Sequence, residues 1–262
     1  MSMWRLLKLE THDAATNMAI DEAVLRERIA DKVPNTVRFY RWTPSAVSIG
    51  RFQNVYNEVD LDNCAKHGVD VVRRITGGGA VYHDSEDELT YSVVVKREDL
   101  SAEDTTAAYN KISSGLTKAL ELFGVKADFN PGDPKNCPNI TINGRKISGS
   151  AQSLKGGVIL QHGTLLLDVD LEKMFTFLRV PWAKTCMEIV NVAERKITSV
   201  KNELGSGVSV EEAYWASVKG FQEALKMELS DSALTSEEAM AVEHLRRDKF
   251  TDKNWTFLGK FL

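Results

Sequence analysis

Two adjacent arginines, Arg73 and Arg74, run into three consecutive glycines, Gly77-Gly78-Gly79, and then into Ala80-Val81-Tyr82-His83-Asp84. Glycine has no Cβ, so a glycine triplet lets backbone N–H groups approach a ligand and adopt positive φ. Such a loop can form an anion-binding nest, and adjacent guanidiniums add a planar, permanently charged fork for phosphate or carboxylate. The alternative is a glycine-rich turn beside two solvated arginines. Further along stand Cys137, then Lys146 just past Asn143-Gly144, then His162 inside an otherwise apolar run. Small residues beside that lysine (Gly149, Ser150, Ala151) would let a ligand lie against the backbone. A lone hairpin lysine is more often simply exposed. A thiol beside cations is activated as a thiolate, although most loop thiols are inert. His83 next to Asp84 is a candidate for a fixed tautomer or for a structural pin on the glycine loop. His162 is a candidate for lining a site or for a satisfied core position.

The elements that must position these groups follow from periodicity. A first strand is expected over 4–9 and a helix over 14–28. Strands follow at 37–42 and 46–50, read as a hairpin across Thr43-Pro44-Ser45. A short helix stops at Gly68, and a strand over 69–73 delivers the two arginines to the loop. The clearest strand, 88–95, is expected to pair antiparallel with the strand before the loop. A long helix is expected over 101–123, with Ser101 at its start. Asn143-Gly144, flanked by 140–142 and 146–148, is the strongest short hairpin signal. A strand over 158–167 carries His162. Helices then dominate at 171–178, 209–229 and 236–250, the second opening on a Ser209/Glu212 capping box. Strands first and helices last argue for an α+β fold with mixed or antiparallel sheets packed with helices.

Composition sets the outer limits. The 262 residues are 43% hydrophobic and 27% charged, which is globular and long enough for a sizeable core. A net charge of −4 gives no basic field for nucleic acid. Three cysteines without metal-ligand spacing point to a reducing compartment and no disulfide framework. No run approaches the roughly 18 apolar residues of a membrane helix. A soluble cytoplasmic protein with no membrane partner is the expectation.

Arg73-Arg74-x-Thr76-Gly77-Gly78-Gly79-Ala80-Val81-Tyr82-His83-Asp84 resembles the signature of the lipoate-protein ligase family. Ile142 to Gln152 resembles that family's lysine block, and Leu160 to Leu166 its His-Gly strand. Weaker similarity reaches from Asn17–Glu22 to Trp255, so nearly the whole chain is covered. The resemblance implies the biotin/lipoate ligase catalytic-domain fold over 1–262 as a single domain without a C-terminal accessory domain. It implies ATP-dependent activation of lipoate or octanoate to acyl-AMP, with Mg²⁺, and transfer to a lysine of a lipoyl domain. The acceptors would be glycine cleavage H protein or a 2-oxoacid dehydrogenase E2. Lys146 would be catalytic; Arg73, Gly77, Gly78, Gly79, His83, His162 and Arg51 would bind substrate. Trp42, Phe39 and Tyr40 are candidates for an apolar tunnel. Since the family includes split forms, a separate small accessory subunit is a further expected partner.

Two departures open an alternative. Ligases typically carry Asn-Asp at the start of the lysine hairpin, where this chain has Pro138-Asn139, so a carboxylate for Mg²⁺ is missing and the metal ligands are unknown. Octanoyltransferases of the same superfamily use a cysteine on the loop before this hairpin, the place of Cys137. In that reading Cys137 moves octanoyl from acyl carrier protein to the lipoyl-domain lysine. The third loop glycine, Gly79, favours the ligase, because the cysteine-type transferases usually have arginine there.

Overall fold

The computed structural model describes residues 2–133, 137–183 and 185–260. In chain order the strands are β1 (Ser2–His12), β2 (Thr36–Trp42), β3 (Ala46–Ile49), β4 (Asp70–Arg73), β5 (Val81–His83), β6 (Glu88–Lys96), β7 (Asp128–Asn130), β8 (Asn139–Ile142), β9 (Arg145–Lys155), β10 (Val158–Leu166) and β11 (Met227–Ser232). The helices are α1 (Ala14–Ile29), α2 (Val55–Glu58), α3 (Leu61–His67), α4 (Arg97–Leu100), α5 (Thr105–Leu122), α6 (Leu171–Phe177), α7 (Cys186–Ala193), α8 (Val200–Leu204), α9 (Val210–Leu225) and α10 (Ser236–Leu245). Single π-helical turns follow at Arg246–Phe250 and Asn254–Leu258.

The strands form an eight-stranded sheet, ordered β11-β1-β2-β6-β10-β9-β8-β7, and a three-stranded sheet, ordered β4-β3-β5. In the large sheet β1 runs parallel to both β11 and β2, and the pairs from β2 to β7 are antiparallel. The mixed α+β architecture is the one expected. One face of the large sheet packs on α5 and α9, with Phe39 edge-on to Tyr214 and Phe221 at 5.4 and 5.9 Å. The other face packs on α1, through Met18, Ala19, Ala23 and Val24.

Several local readings hold. Asn143 and Gly144 have φ of 50° and 78°, both in the left-handed region that a two-residue turn matched to the strand twist requires. Gly68 caps α3 at φ 65°, and Ser209 with Glu212 forms the full capping box of α9.

Pairings differ where two sheets compete for consecutive strands. β2 and β3 are not a hairpin: β2 joins the large sheet beside β6, while β3 pairs with β4 and β5. For the same reason β4 does not pair with β6. Ser101 is a left-handed residue ending α4, at φ 48°, and Asp104 is the cap that starts α5. The stretch read as the end of a helix over 209–229 leaves it at Lys226 and becomes β11, drawn in by parallel pairing with β1.

Candidate functional site

A cavity of about 320 Å³ lies between the two sheets. α1 contributes Met18, β2 contributes Tyr40 and Trp42, and β6 contributes Thr90. β10 adds His162 and Thr164, and the glycine loop with the β8–β9 hairpin closes the polar end. Strand alternation selects the lining. Tyr40 and Trp42 face the cavity, while Phe39, one residue before Tyr40, faces α9. Of the three aromatics considered for an apolar tunnel, two are therefore in the wall.

Lys146 sits beside a bulge in the β8–β9 ladder, where the register shifts between Ile140 and Thr141. Its backbone is gripped from the other edge: its N–H donates to Lys196 O at 2.7 Å, and Thr198 N–H donates to its carbonyl at 2.9 Å. The side chain crosses Gly149; a Cβ there would stand 2.6 Å from Nζ, so a larger residue at 149 would push the lysine tip out of this position. The residue is exposed because it projects into the open cavity, yet protein surrounds that cavity. This desolvation pulls the amine below the usual lysine range, with Cys137 opposing and Arg74 assisting the shift. Among the described residues no carboxylate pairs with it. Cys137 lies two residues before β8, exposed, and lines the same cavity. Its Sγ is 3.6 Å from the point where a Cβ on Gly78 would be.

The two arginines part company. Arg74 lines the cavity. Its Nη1 donates to Ser48 O (2.9 Å) and Ser48 Oγ (3.2 Å), and its Nη2 to the carbonyls of Gly77 (2.8 Å) and Gly79 (2.6 Å). Burial lowers its pKa to about 10, which still leaves it charged at neutral pH. Arg73 points to the opposite face. Its guanidinium donates to the carbonyls of Gly50, Arg51, Gln53, Trp255 and Thr256 at 2.7–3.2 Å. Arg51 donates to Gly259 O and stacks over Trp255, its guanidinium carbon 4.5 Å from the ring centroid. Neither Arg73 nor Arg51 reaches the cavity, so the placement expected for both is corrected. Arg74 takes the cavity position that the sequence reading gave to its neighbour.

Both histidines do line it. His162 Nδ1 donates to Asp21 Oδ2 at 2.9 Å, and Thr76 Oγ1 lies 2.7 Å from Nε2. Burial pulls the His162 pKa down, and the bond to Asp21 only partly restores it. Burial alone would raise the Asp21 pKa. The His162 hydrogen bond, Arg38 and Ser92 outweigh it and hold Asp21 as a carboxylate. His83 Nδ1 is 2.7 Å from Glu88 Oε1 and its Nε2 is 2.8 Å from Ser48 Oγ; Trp42 stacks on the ring at 4.0 Å. His83 is thus held by Glu88 rather than by its neighbour Asp84, which pairs with Lys173. Gly78 and Gly79 line the cavity; Gly77 gives its carbonyl to Arg74. Asp21, Ser48 and Thr76 were missed by sequence reasoning. Their signal was polarity in otherwise apolar segments, which marks an interior network only once the partners are known.

No Asp or Glu is among the described residues lining the cavity, and among the described residues no three His, Cys, Asp or Glu side chains converge on a metal site. Asn139 offers one neutral oxygen, buried without a donor, where Mg²⁺ takes carboxylates together with substrate phosphates. The donor set at this position does not fit Mg²⁺.

The family model for the lipoyl protein ligase A/B catalytic domain matches residues 13–222. The chain belongs to this family. Among curated relatives, octanoyltransferase LipM of Brevibacillus brevis is 36% identical, over 97% of this chain and 99% of its own length. The protein of the same name from Symbiobacterium thermophilum is 38% identical, over 96% and 97%. Among solved structures, lipoate-protein ligase A bound with ATP superposes with a TM-score of 0.84 at 30% identity, covering 98% of this chain and 99% of that one. A bi-partite lipoate protein ligase from Thermoplasma acidophilum gives 0.83 at 30% identity, covering 98% and 96%. The expected fold and family are therefore found, and the chain is an enzyme of lipoylation chemistry. The relatives favour the transferase reading over the ligase. Among the described residues, no helix is long and apolar enough to cross a membrane.

Proposed function

We propose that the chain is an octanoyltransferase that carries octanoyl on Cys137 from an acyl carrier protein thioester to a lysine of a lipoyl domain. The observation that carries this reading is a thiol opening into the same cavity as Lys146 and the glycine loop, with no carboxylate among the described lining residues. The identity to proteins named octanoyltransferase supports it. A lysine whose pKa is drawn down is neutral in a larger fraction of molecules than a surface lysine, and the neutral amine is the form that can take the Cys137 proton. The thiolate attacks the thioester carbonyl, the C–S bond to Cys137 forms, and the carrier thiol leaves with a proton. The lipoyl-domain amine then attacks the acyl-Cys137 carbonyl. An amide forms, Cys137 departs as thiolate, and the amine's proton restores the thiol. The donor is already activated, so this reading needs neither ATP nor Mg²⁺. The acceptor is glycine cleavage H protein or a 2-oxoacid dehydrogenase E2 domain, and the compartment is the cytoplasm.

The ligase reading is kept as the competing outcome, since the ATP-bound ligase superposes over nearly the whole chain. The deciding experiment offers one lipoyl domain two donors: octanoyl carrier thioester without ATP, and free octanoate or lipoate with ATP and Mg²⁺. The second arm is run with and without a candidate accessory subunit. Transfer in the first arm, with an octanoyl adduct on Cys137 by intact mass, is the expected result. Transfer only in the second arm, with no adduct, overturns it in favour of the ligase.

A further inference from the structure

The glycine loop is held by its carbonyls, and this determines where its N–H groups can point. Arg74 Nη2 takes both the Gly77 and Gly79 carbonyls, at 2.8 and 2.6 Å. In a trans peptide the N–H of the next residue is directed opposite to the carbonyl. The N–H groups of Gly78 and Ala80 are therefore turned away from the guanidinium. Both residues line the cavity, and neither N–H has a hydrogen-bond acceptor among the described residues. The two residues are partly buried at the cavity wall, and backbone donors left without a protein acceptor there call for a ligand or water.

The nucleophile is close by. A Cβ on Gly78 would be 3.6 Å from Cys137 Sγ. The Gly78 backbone therefore lies against the sulfur, and a tetrahedral carbon on Sγ would form beside it; an oxyanion hole needs its donors within about 3 Å of the oxyanion. The hold on the loop extends further back. Ser48 Oγ accepts from Arg74 and sits on the Glu88–His83 pair, while Thr76, just before the glycines, sits on the Asp21–His162 pair. Two acid–histidine–hydroxyl chains thus fix the loop from opposite sides of the cavity.

We propose that the backbone N–H groups of Gly78 and Ala80 form the oxyanion hole for acyl transfer, and that Arg74 is the positioning residue that turns them toward the reacting carbonyl. The sequence reading gave the arginines at this loop the task of contacting the anion. Arg74 instead grips the loop's carbonyls, and the neutral peptide donors meet the charge. The inference rests on the acylation of Cys137 proposed above.

Two chemistries at one sulfur separate the hole from the nucleophile. Acylation by octanoyl thioester passes through an oxyanion; alkylation by iodoacetamide does not. Arg74→Met and Ala80→Pro, the second removing one N–H outright, should each slow acylation about a hundredfold, the cost of one oxyanion donor. Alkylation should stay within about threefold in Ala80→Pro, which removes no charge; Arg74→Met also removes a cation near the thiol, so there acylation should fall at least about tenfold more than alkylation. Arg74→Met acylating at the wild-type rate overturns the proposal, as does a parallel fall of both reactions in Ala80→Pro or, in Arg74→Met, an acylation loss no larger than the alkylation loss. A second arm does not depend on acylation: octanoate added to protein labelled with ¹⁵N glycine and alanine. The Gly78 and Ala80 amide protons should move downfield in the wild type and not in Arg74→Met; absence of any shift at those two amides overturns the proposal. If wild-type Cys137 takes no octanoyl but the two amides still shift, the transferase reading fails and the donor pair stands.

Discussion

Arg73 and Arg74 are neighbours of one residue type, yet they serve opposite sides of the β4–β3 wall. On Arg73's side the chain's C-terminal turn, Asn254–Leu258, is strapped down by buried hydrogen bonds in both directions. Arg73 donates to its carbonyls, and Trp255 Nε1 donates back to Arg73 O at 2.8 Å. On Arg74's side the same chemistry faces a cavity holding a thiol, an amine and a glycine loop. Arg73 is satisfied and closed, and its guanidinium is part of the scaffold. Arg74 is left with Nε unpaired and a ligand space in front of it. Residue type alone therefore says little about role; the face of the strand decides it.

If the comparison is right, changes on the cavity side should abolish chemistry and leave the fold, and changes on the strap side should do the reverse. The largest effect is expected from Cys137→Ala: transfer and the acyl adduct should fall by about three orders of magnitude or more, as for loss of a nucleophile. Cys137 is exposed, so stability should move by no more than about 0.5 kcal/mol. Retained transfer by this variant in the thioester assay removes the thioester mechanism. Next is Lys146→Ala, expected to cost about 10²–10³ in rate with the melting temperature preserved. A near wild-type rate would show that Lys146 is not the group that assists the reacting thiol and carbonyl.

Arg73→Met tests the strap. Several buried carbonyls lose a charged donor, a loss of about 3 kcal/mol or more. For a chain of this size that lowers the melting temperature by roughly 6–12 °C. The activity per folded molecule should remain within a few-fold. A large rate loss with an unchanged melting temperature would put Arg73 in the catalytic machinery after all.

Acid should loosen the cavity wall. The folded pKa of His162 lies below its unfolded value, so the unfolded chain binds the extra proton first. Stability is then intact above about pH 6.5, the ordinary histidine value, and falls as pH drops below it. Asp21, depressed below its ordinary value, adds a further loss in the carboxylate range. Urea unfolding of wild type against His162→Gln between pH 5 and 8 measures the difference. A pH-independent gap between the two proteins would show that His162 does not titrate between folded and unfolded states.

The sequence was most legible where structure is local. The Asn143-Gly144 turn, the Gly68 cap and the Ser209/Glu212 box each depend on residues a few positions apart. The three-block motif placed the glycine loop, Lys146 and His162 around one cavity for a related reason: it spells out a whole site. Partner choice between distant strands was not legible. Nothing in Ala46–Ile49 marks it for the small sheet rather than a hairpin with β2, because both pairings satisfy the same hydrogen bonds. Register carries the same ambiguity into the site. Which of Arg73 and Arg74 faces the cavity depends on a period-two alternation that one residue of slippage reverses.

Arg51 gives the smallest and most discriminating test. The resemblance implies a substrate-binding residue, whereas the structure puts it on the strap, donating to Gly259 O at 2.9 Å and lying over Trp255. Arg51→Ala removes one hydrogen bond and one cation–π contact, together about 1–2 kcal/mol. Two effects reduce that loss. Lys249 Nζ also stands over the Trp255 ring, at 4.1 Å, and remains. Arg51 also repels Arg73, whose pKa is lowered first by burial and then by that charge, so its removal relieves a buried cation. The net loss should be about 1 kcal/mol or less, a drop in melting temperature of roughly 2–4 °C. Octanoyl transfer, in both KM and kcat, should be unchanged. A tenfold rise in donor KM with the melting temperature unmoved would return Arg51 to the substrate site and break the division between the two sides of the wall.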